Sequence, residues 1–332
     1  MADAVFLQPA YLEKIVEAKT LRTWNTPILD MFFKRKKAAP EGFVRVPKEK
    51  GSYEDILAIV DRGSAIPASE LKLGREYVTY DLKLFGDLKV LKPSDVRRYQ
   101  EQLAGLTGDN YNKKRVEIAN DIIGEYNRKV DLTREYMAGS ALTGVIKDKD
   151  GNTIEEFDIP KDNDLGNQNI SNGSVKIYKL LRAMVKRMRE ATNYSGAVGL
   201  ILGENAYDKI LDSEEYQTWA KNQQNALTAE EIANGVEGYM LNKKYPFLLA
   251  DAKFYSNGSK SPFFDADSMI LAPLEVFGEY YANIDTNKGS FSKIKHIDKF
   301  EVYNPDGEAI RLQCSSMPIV TLPNAIIKAK IS

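Results

Sequence analysis

The feature that most limits the folds open to this chain is one very long helix. Asp109 can cap a helix that runs to Gly139, where a glycine is a natural stop. Val116, Ala119, Ile122, Ile123, Tyr126, Val130 and Met137 fall on one stripe, with Thr133 a polar gap between the last two. At about 1.5 Å per residue such a helix spans roughly 45 Å. That is long for a compact domain, and a chain of 332 residues has room for two domains or one elaborate one.

The segments before the helix read differently. Tyr11, Leu12, Ile15, Val16 and Lys19 give a short helical signal. A compact apolar segment, Pro27-Ile28-Leu29-Asp30-Met31-Phe32-Phe33, then runs into Lys34-Arg35-Lys36-Lys37. Residues 42–80 are mostly extended, with turn residues at Gly51, Gly63, Pro67 and Gly74. Val78, Tyr80, Leu82 and Leu84 alternate with Thr79, Asp81 and Lys83, the period of a half-buried strand. An extended excursion of this length is foreign to most enzyme cores.

After the helix, Ala141 to Ile146 and Thr153 to Ile159 flank Asp150-Gly151-Asn152, a hairpin with glycine supplying positive φ at the turn. A polar linker over 161–173 suggests a domain boundary. Beyond it, helices are expected over 175–193, 205–211 and 213–224 and strands over 196–202, 247–255 and 268–271. Two strands close the chain. Ile310, Leu312 and Cys314 alternate with Arg311 and Gln313, and Ile327, Ala329 and Ile331 with Lys328 and Lys330. No repeat of about 20–50 residues is visible, which excludes solenoids and propellers.

The residues that usually carry catalysis are scarce. His296 is the only histidine, so a His-Glu-x-x-His zinc site cannot be built. No Gly-x-Ser-x-Gly elbow is present to make it part of a triad, and it reads as a surface or loop histidine. Cys314 is the only cysteine, which rules out an intramolecular disulfide framework and suits a reducing compartment. Asp148-Lys149-Asp150-Gly151-Asn152 begins like a calcium loop, but Thr153 and Ile159 stand where glycine and glutamate are required. Asp162 and Asp164 have nothing nearby to organise them around a cation. Sequons at Asn169, Asn172, Asn193 and Asn257 carry no weight in a chain without a signal peptide. Dinucleotide and P-loop motifs are absent. No catalytic, cofactor-binding or metal-ligating residue is therefore assigned.

Charge and hydropathy narrow the partners. Lys plus Arg is 46 and Asp plus Glu 47, a net charge of -1, unlike the basic balance of a dedicated nucleic-acid binder. The run Lys34 to Lys37 can touch phosphates through charge alone. A solvated basic patch, or pairing with a neighbour's carboxylates, accounts for it equally well. The longest apolar stretch, Ala197-Val198-Gly199-Leu200-Ile201-Leu202, is far short of the ~20 residues that span a bilayer, so no membrane association is expected.

The order of these elements resembles the lambda-type (family E) major capsid proteins of tailed bacteriophages. Ile28-Leu29-Asp30-Met31-Phe32-Phe33 is similar to that family's entry motif, and Ala141-Leu142-Thr143-Gly144 after the long helix to its helix-to-hairpin junction. Gly238-Tyr239 through Phe254-Tyr255, then Phe263-Phe264-Asp265-Ala266-Asp267-Ser268-Met269-Ile270-Leu271, resembles its strand, acidic turn and second strand. The family more often has a proline before that turn. Asn304-Pro305-Asp306-Gly307 to Cys314-Ser315-Ser316-Met317-Pro318, then Leu322-Pro323-Asn324, resembles its tail.

The resemblance spans residues 28–332. It implies the α/β capsid fold: an N-terminal arm (1–41), an extended loop (42–80), a peripheral domain with the long spine helix (81–173 and 295–332) and an axial domain (174–294). The last strands are expected to rejoin the spine. It implies a structural subunit, not an enzyme, that needs no cofactor. Pentamers and hexamers of it would close an icosahedral shell around packaged double-stranded DNA.

The implied partners are other copies of the chain, a portal, a possible decoration protein, and DNA by non-specific contact. The short arm leaves no room for a scaffolding domain, so a separate scaffolding protein is expected. The place is the virion, with assembly in the host cytoplasm. Near-neutral charge suits a shell through which DNA must slide. The alternatives are an encapsulin-like compartment and, further off, a cytoplasmic α/β enzyme or a tail or decoration protein.

Leu57, Ile59, Val60 and Ile66 lie on the expected loop with few local apolar partners, as an arm that buries itself only against a neighbour requires. Deleting residues 51–74 is expected to leave a folded subunit that forms no shells. Electron microscopy of the variant checks this, and normal particles would refute the loop assignment.

Overall fold

A computed structural model of the chain describes residues 25–47, 77–148, 150–170, 175–221, 237–240, 245–251, 253–256, 259–286, 289–303 and 306–332. The helical signal at Tyr11 to Lys19, the turn residues Gly51, Gly63, Pro67 and Gly74, the apolar residues Leu57, Ile59, Val60 and Ile66, and the Asn172 and Asn257 sequons lie outside them. The chain divides into two compact units: residues 1–44, 81–139 and 278–319, and residues 45–80, 140–277 and 320–332.

In the first unit, the spine is built from Gly108–Ala119, a π-helical turn Asn120–Gly124, and Glu125–Thr143, which runs on into the second unit. Against it lies a three-stranded antiparallel sheet of Phe85–Leu91, Asp306–Cys314 and Lys295–Tyr303. Ile118, Ala119, Ile122, Ile123 and Val130 of the spine share one core with Ile310, Leu312 and Cys314 of the central strand. Tyr99 and Leu103 complete it from a helix over Pro93–Leu103.

That helix and the Phe85–Leu91 strand were not expected from the sequence. The helix carries a readable signal, because Pro93 occupies the first turn and the Asp95 side chain accepts the Lys92 N–H at 3.3 Å. The expected strand at 78–84 spans Tyr77–Asp81, pairs with Phe43–Pro47, and leaves Leu84 exposed.

Two corrections concern the spine. The helix begins at Gly108 rather than being capped by Asp109. It ends at Gly144, whose φ of +100° a side chain would disfavour, and it passes through the buried Gly139. Ala141, Leu142 and Thr143 are consequently helical, and the hairpin pairs only Val145–Lys147 with Thr153–Glu156, turning at Gly151 with φ +87°. The second concerns the width of the buried face. A π turn inserts one extra residue and rotates everything after it by roughly 100°. Beyond the turn Val130 and Met137 of the expected stripe stay buried and Tyr126 is half-buried, while Asn127, Asp131, Arg134 and Ala138 are buried beside them.

The second unit is organised by a six-stranded mixed sheet. Its order is Asp164–Gln168, Ile327–Ile331, Ser268–Pro273, Val198–Leu202, Tyr245–Leu249 and Glu237–Met240. The Val198–Leu202 strand is buried throughout, as a central strand covered on both faces must be. Helix Ile177–Thr192 presents Ile177, Leu180, Leu181, Met184, Val185 and Met188 to the sheet core, which Ala206, Tyr207 and Ile210 of Glu204–Asp212 also enter. Asn193, in the left-handed region at φ 54°, ends the first of these helices.

The segment expected as a linker holds a 3-10 turn, Lys161–Asn163, and the edge strand Asp164–Gln168, so residues 161–170 are built into this sheet. The residues expected as one strand over 247–255 form two, Tyr245–Leu249 and Lys253–Ser256. The closing strands part company. Asp306–Cys314 packs on the spine, while Ile327–Ile331 joins the six-stranded sheet.

Gly203 marks a close approach in this unit: a Cβ there would lie 2.3 Å from the Asp265 carbonyl oxygen and 2.4 Å from that of Ala266. Gly203→Ala must displace backbone and is expected to cost about 1–3 kcal/mol. Chemical denaturation of the variant measures this, and an unchanged midpoint would contradict the packing described.

Candidate functional site

The densest chemistry in the first unit is a cluster of charges inside it, built on the face that the π turn brings inward. Arg134 extends from the spine to Glu279 on strand Gly278–Tyr281. Its Nε donates to Oε1 at 2.7 Å and its Nη2 to Oε2 at 2.8 Å, a two-pronged pair. Nη1 of the same guanidinium donates to Asp131 Oδ1 at 2.9 Å and Nε also reaches Ser316 Oγ at 3.2 Å. The Lys295 ammonium donates to Asp131 Oδ1 at 2.6 Å and to Asn127 Oδ1 at 2.7 Å. Cys314 lies at the edge of the cluster, its sulfur 3.3 Å from Ser316 Oγ.

Glu135, the next residue of the spine, serves a different element. Its Oε1 accepts the Ile28 N–H at 2.7 Å and its Oε2 the Leu29 N–H at 3.1 Å. Helix Pro27–Phe32 lacks a side-chain cap of its own, because Thr26 instead donates to Asp30. The spine thus supplies the missing acceptor from more than a hundred residues away. Ile28, Leu29, Phe32 and Phe33 are all buried, and this fastens the segment that follows the N-terminal residues.

Protonation follows from burial and partners. Burial alone would lower the Arg134 pKa, but the Glu279 and Asp131 carboxylates more than reverse it and hold the guanidinium charged. Burial depresses Lys295, against the pull of Asp131. Burial also pushes the Cys314 thiol up, leaving it a poor nucleophile. Glu135 is pushed up from its ordinary 4.5 to about 7, because burial, with some help from Asp30, outweighs the two backbone N–H donors and Arg134.

The second unit carries a smaller set at the acidic turn. Asp267 Oδ1 accepts Lys209 Nζ at 2.9 Å and Asn205 Nδ2 at 3.1 Å, and Lys209 also donates to the Ile331 carbonyl at 2.9 Å. Lys330 pairs with Asp265 at 2.9 Å, and the Ile331 N–H donates to the Asp267 carbonyl at 2.8 Å. The turn and the last strand are stitched together. These pairs hold both carboxyls below the usual carboxylate range.

None of this is arranged to transform a substrate. In the cluster of the first unit, carboxylates and cations are turned on one another and buried or nearly so, which fixes elements in place. His296, expected on the surface or in a loop, is instead buried on strand Lys295–Tyr303, stacked on Phe291 at 4.2 Å between centroids. The sheet pairing that puts it opposite Gln313 decides its burial, and a local reading does not see that pairing.

The other residues weighed in the sequence stay apart. Asp148 accepts the N–H groups of Asp150 and Asn152 at 2.9 and 2.8 Å, as a turn residue does. Asp162 pairs with Arg187 at 3.5 Å, and Asp164 accepts the Gly166 N–H. Among the described residues no group of three or more His, Cys, Asp or Glu is placed to hold a metal ion, and no helix is long and apolar enough to cross a membrane. The charge cluster was not anticipated. Its one signal is the recurrence of Asn127, Asp131, Arg134 and Glu135 at helical spacing beside apolar Val130 and Ala138.

Known proteins agree with this picture. A family model described as phage major capsid protein E matches residues 12–331. No curated protein sequence matches the chain. Among solved structures, the chain is similar to the protein assigned as a prophage capsid protein of Escherichia coli CFT073, with a TM-score of 0.63 and 14% identity over 98% of this chain and 99% of that one. A phage-related protein of Bordetella bronchiseptica RB50 gives 0.59 and 9% over 95% of each. A chain of the mature bacteriophage PhiM1 capsid gives 0.53 and 10% over 93% and 88%. At such identities the likeness to these structures is one of fold.

The rise of the Glu135 pKa has a consequence for stability. A carboxyl whose native pKa lies above its unfolded value binds more protons when folded. Its contribution is therefore full below about 4.5 and is lost as pH rises through about 7. Glu135→Gln is expected to remove that slope. Denaturation of wild type and variant across this window tests it, and parallel stability profiles would show that Glu135 does not titrate as described.

Proposed function

Because this chain belongs to the phage major capsid protein E family and is a structural shell subunit, we propose that pentamers and hexamers of it close an icosahedral head around packaged double-stranded DNA. The family match over residues 12–331, joined to a capsid-like fold along nearly the whole chain, carries this reading. The family match favours this reading over the compartment-shell and enzyme alternatives.

In this reading residues 81–173 and 295–332 act as the peripheral domain and residues 174–294 as the axial domain around fivefold and quasi-sixfold axes. Residues 42–80 form the extended loop, and residues 1–41 the arm. Three physical features support a shared architectural role. Each unit owns a separate apolar core, so the subunit folds before it assembles. The buried charged side chains Asp131, Arg134, Glu135 and Glu279 of the first unit are spent on internal cross-links. Leu84 and Leu88 remain exposed in the single subunit, as apolar residues awaiting a neighbour do. The virion is the place of the finished protein. Assembly in the host cytoplasm, with a separate scaffolding protein and a portal, completes the proposal.

Purified protein, expressed alone and with the scaffolding protein from its own genome, is to be compared by negative-stain electron microscopy and size measurement. Uniform closed shells are expected only with the scaffold, and capsomers or irregular particles without it. A small, discrete oligomer under both conditions would overturn the shell reading, and uniform shells from the chain alone would remove the scaffold from it.

A further inference from the structure

We propose that the edge strand Arg35–Ala38, with Lys34 before it, is a phosphate-binding strip through which each subunit touches the packaged DNA backbone. The inference rests on the shell reading above and adds the residues that meet the polyanion.

Four consecutive cations, Lys34, Arg35, Lys36 and Lys37, are exposed, and the strand is exposed along its whole length. Among the described residues the strand pairs, in parallel, only with Gly278–Tyr281 and is the edge of its three-stranded sheet. A strand sends successive side chains to opposite faces, so cations project on both faces of this edge. Among the described residues no strand pairs with its other backbone side, whose peptide groups turn away from the sheet.

Among the described residues, the strip's charge is not cancelled. The one carboxylate in register with it is Glu279, opposite Lys36. That side chain is 1% exposed and both its oxygens are taken by Arg134. Asp30, in the preceding helix, accepts Thr26. Among the described residues no carboxylate pairs with Lys34, Arg35 or Lys36. Lys37 instead lies 5.8 Å from the centroid of the Tyr280 ring, a cation beside an aromatic face.

A polyanion suits such a strip better than an acidic peptide does. Duplex DNA offers a charge about every 1.7 Å of axis in all orientations, so it can be gripped by cations on two faces without a matching register. Clustering the contact in one strand also leaves the remainder of a chain of net charge -1 with little hold on DNA, as sliding during filling requires.

The test uses the full-length chain and a short random-sequence duplex, with binding followed between about 50 and about 200 mM salt. Each lost phosphate contact lowers the log–log salt slope by about 0.9, so Lys34→Gln, Arg35→Gln and Lys36→Gln together are expected to lower it by about 2.7. Over that salt range wild type then loses about 40-fold more affinity than the variant. A control carrying Lys179→Gln, Arg182→Gln and Lys186→Gln, exposed on helix Ile177–Thr192, is expected to keep the wild-type slope.

An unchanged slope in the strip variant overturns the proposal, as does wild-type protein that fails to bind the duplex. A variant that binds DNA like wild type but no longer assembles shells would assign the strip to a neighbouring subunit's carboxylates, which also overturns it. Micrographs of wild type and variant, each expressed with the scaffolding protein, separate the two readings. Absent wild-type shells there count against the shell reading, whereas normal shells with an unchanged slope count against the strip alone.

Discussion

The two-pronged pair between Arg134 and Glu279 is the contact around which the first unit is arranged. It joins the spine to a strand of a separate three-stranded sheet, and through Asp131 it reaches Lys295 at the start of the long antiparallel hairpin. Removing one member of such a buried pair leaves an uncompensated charge, at a typical cost of about 3–5 kcal/mol. An apolar replacement of the whole set could be as stable. What the charges add is directionality: a guanidinium fork meets a carboxylate in few geometries, whereas apolar packing tolerates a sliding helix.

The same face of the spine places Glu135 where it closes the first turn of helix Pro27–Phe32, so two neighbouring residues serve two different elements. Commitment of Glu279 to Arg134 also explains why the basic edge strand beside it keeps its charge. One internal choice therefore has an external result. The acid that faces the strip in register is withdrawn, and the cations are left for a partner.

In the second unit the comparable junction is the acidic turn. Asp265 and Asp267 hold the last strand through Lys330 and Lys209, and Gly203 lets the turn lie against the strand before it. The stretch Phe263 to Leu271, which resembles a family motif in sequence, is thereby given a mechanical purpose. It ties the end of the chain to the centre of the six-stranded sheet, a long-range closure that local propensity cannot supply. A subunit that must hold its shape under contact with several neighbours benefits from such ties.

Local pattern was enough to locate the amphipathic helix Ile177–Thr192, the fully buried strand Val198–Leu202, the turn at Gly151 and the alternating strand Asp306–Cys314, because periodicity and turn chemistry act over a few residues. The order of motifs along the chain was enough to place it among phage head proteins. Tertiary structure alone decided the rest. Beyond the π turn at Asn120–Gly124 the spine's buried face widens, which no count of apolar spacing reveals, and takes in Asp131 and Arg134 beside Val130 and Met137. Pairing with the last strand turned an apparent linker into a sheet edge, and pairing opposite Gln313 buried His296. In each case the deciding partner lies far away in sequence, and its energy enters only once the chain has closed upon itself.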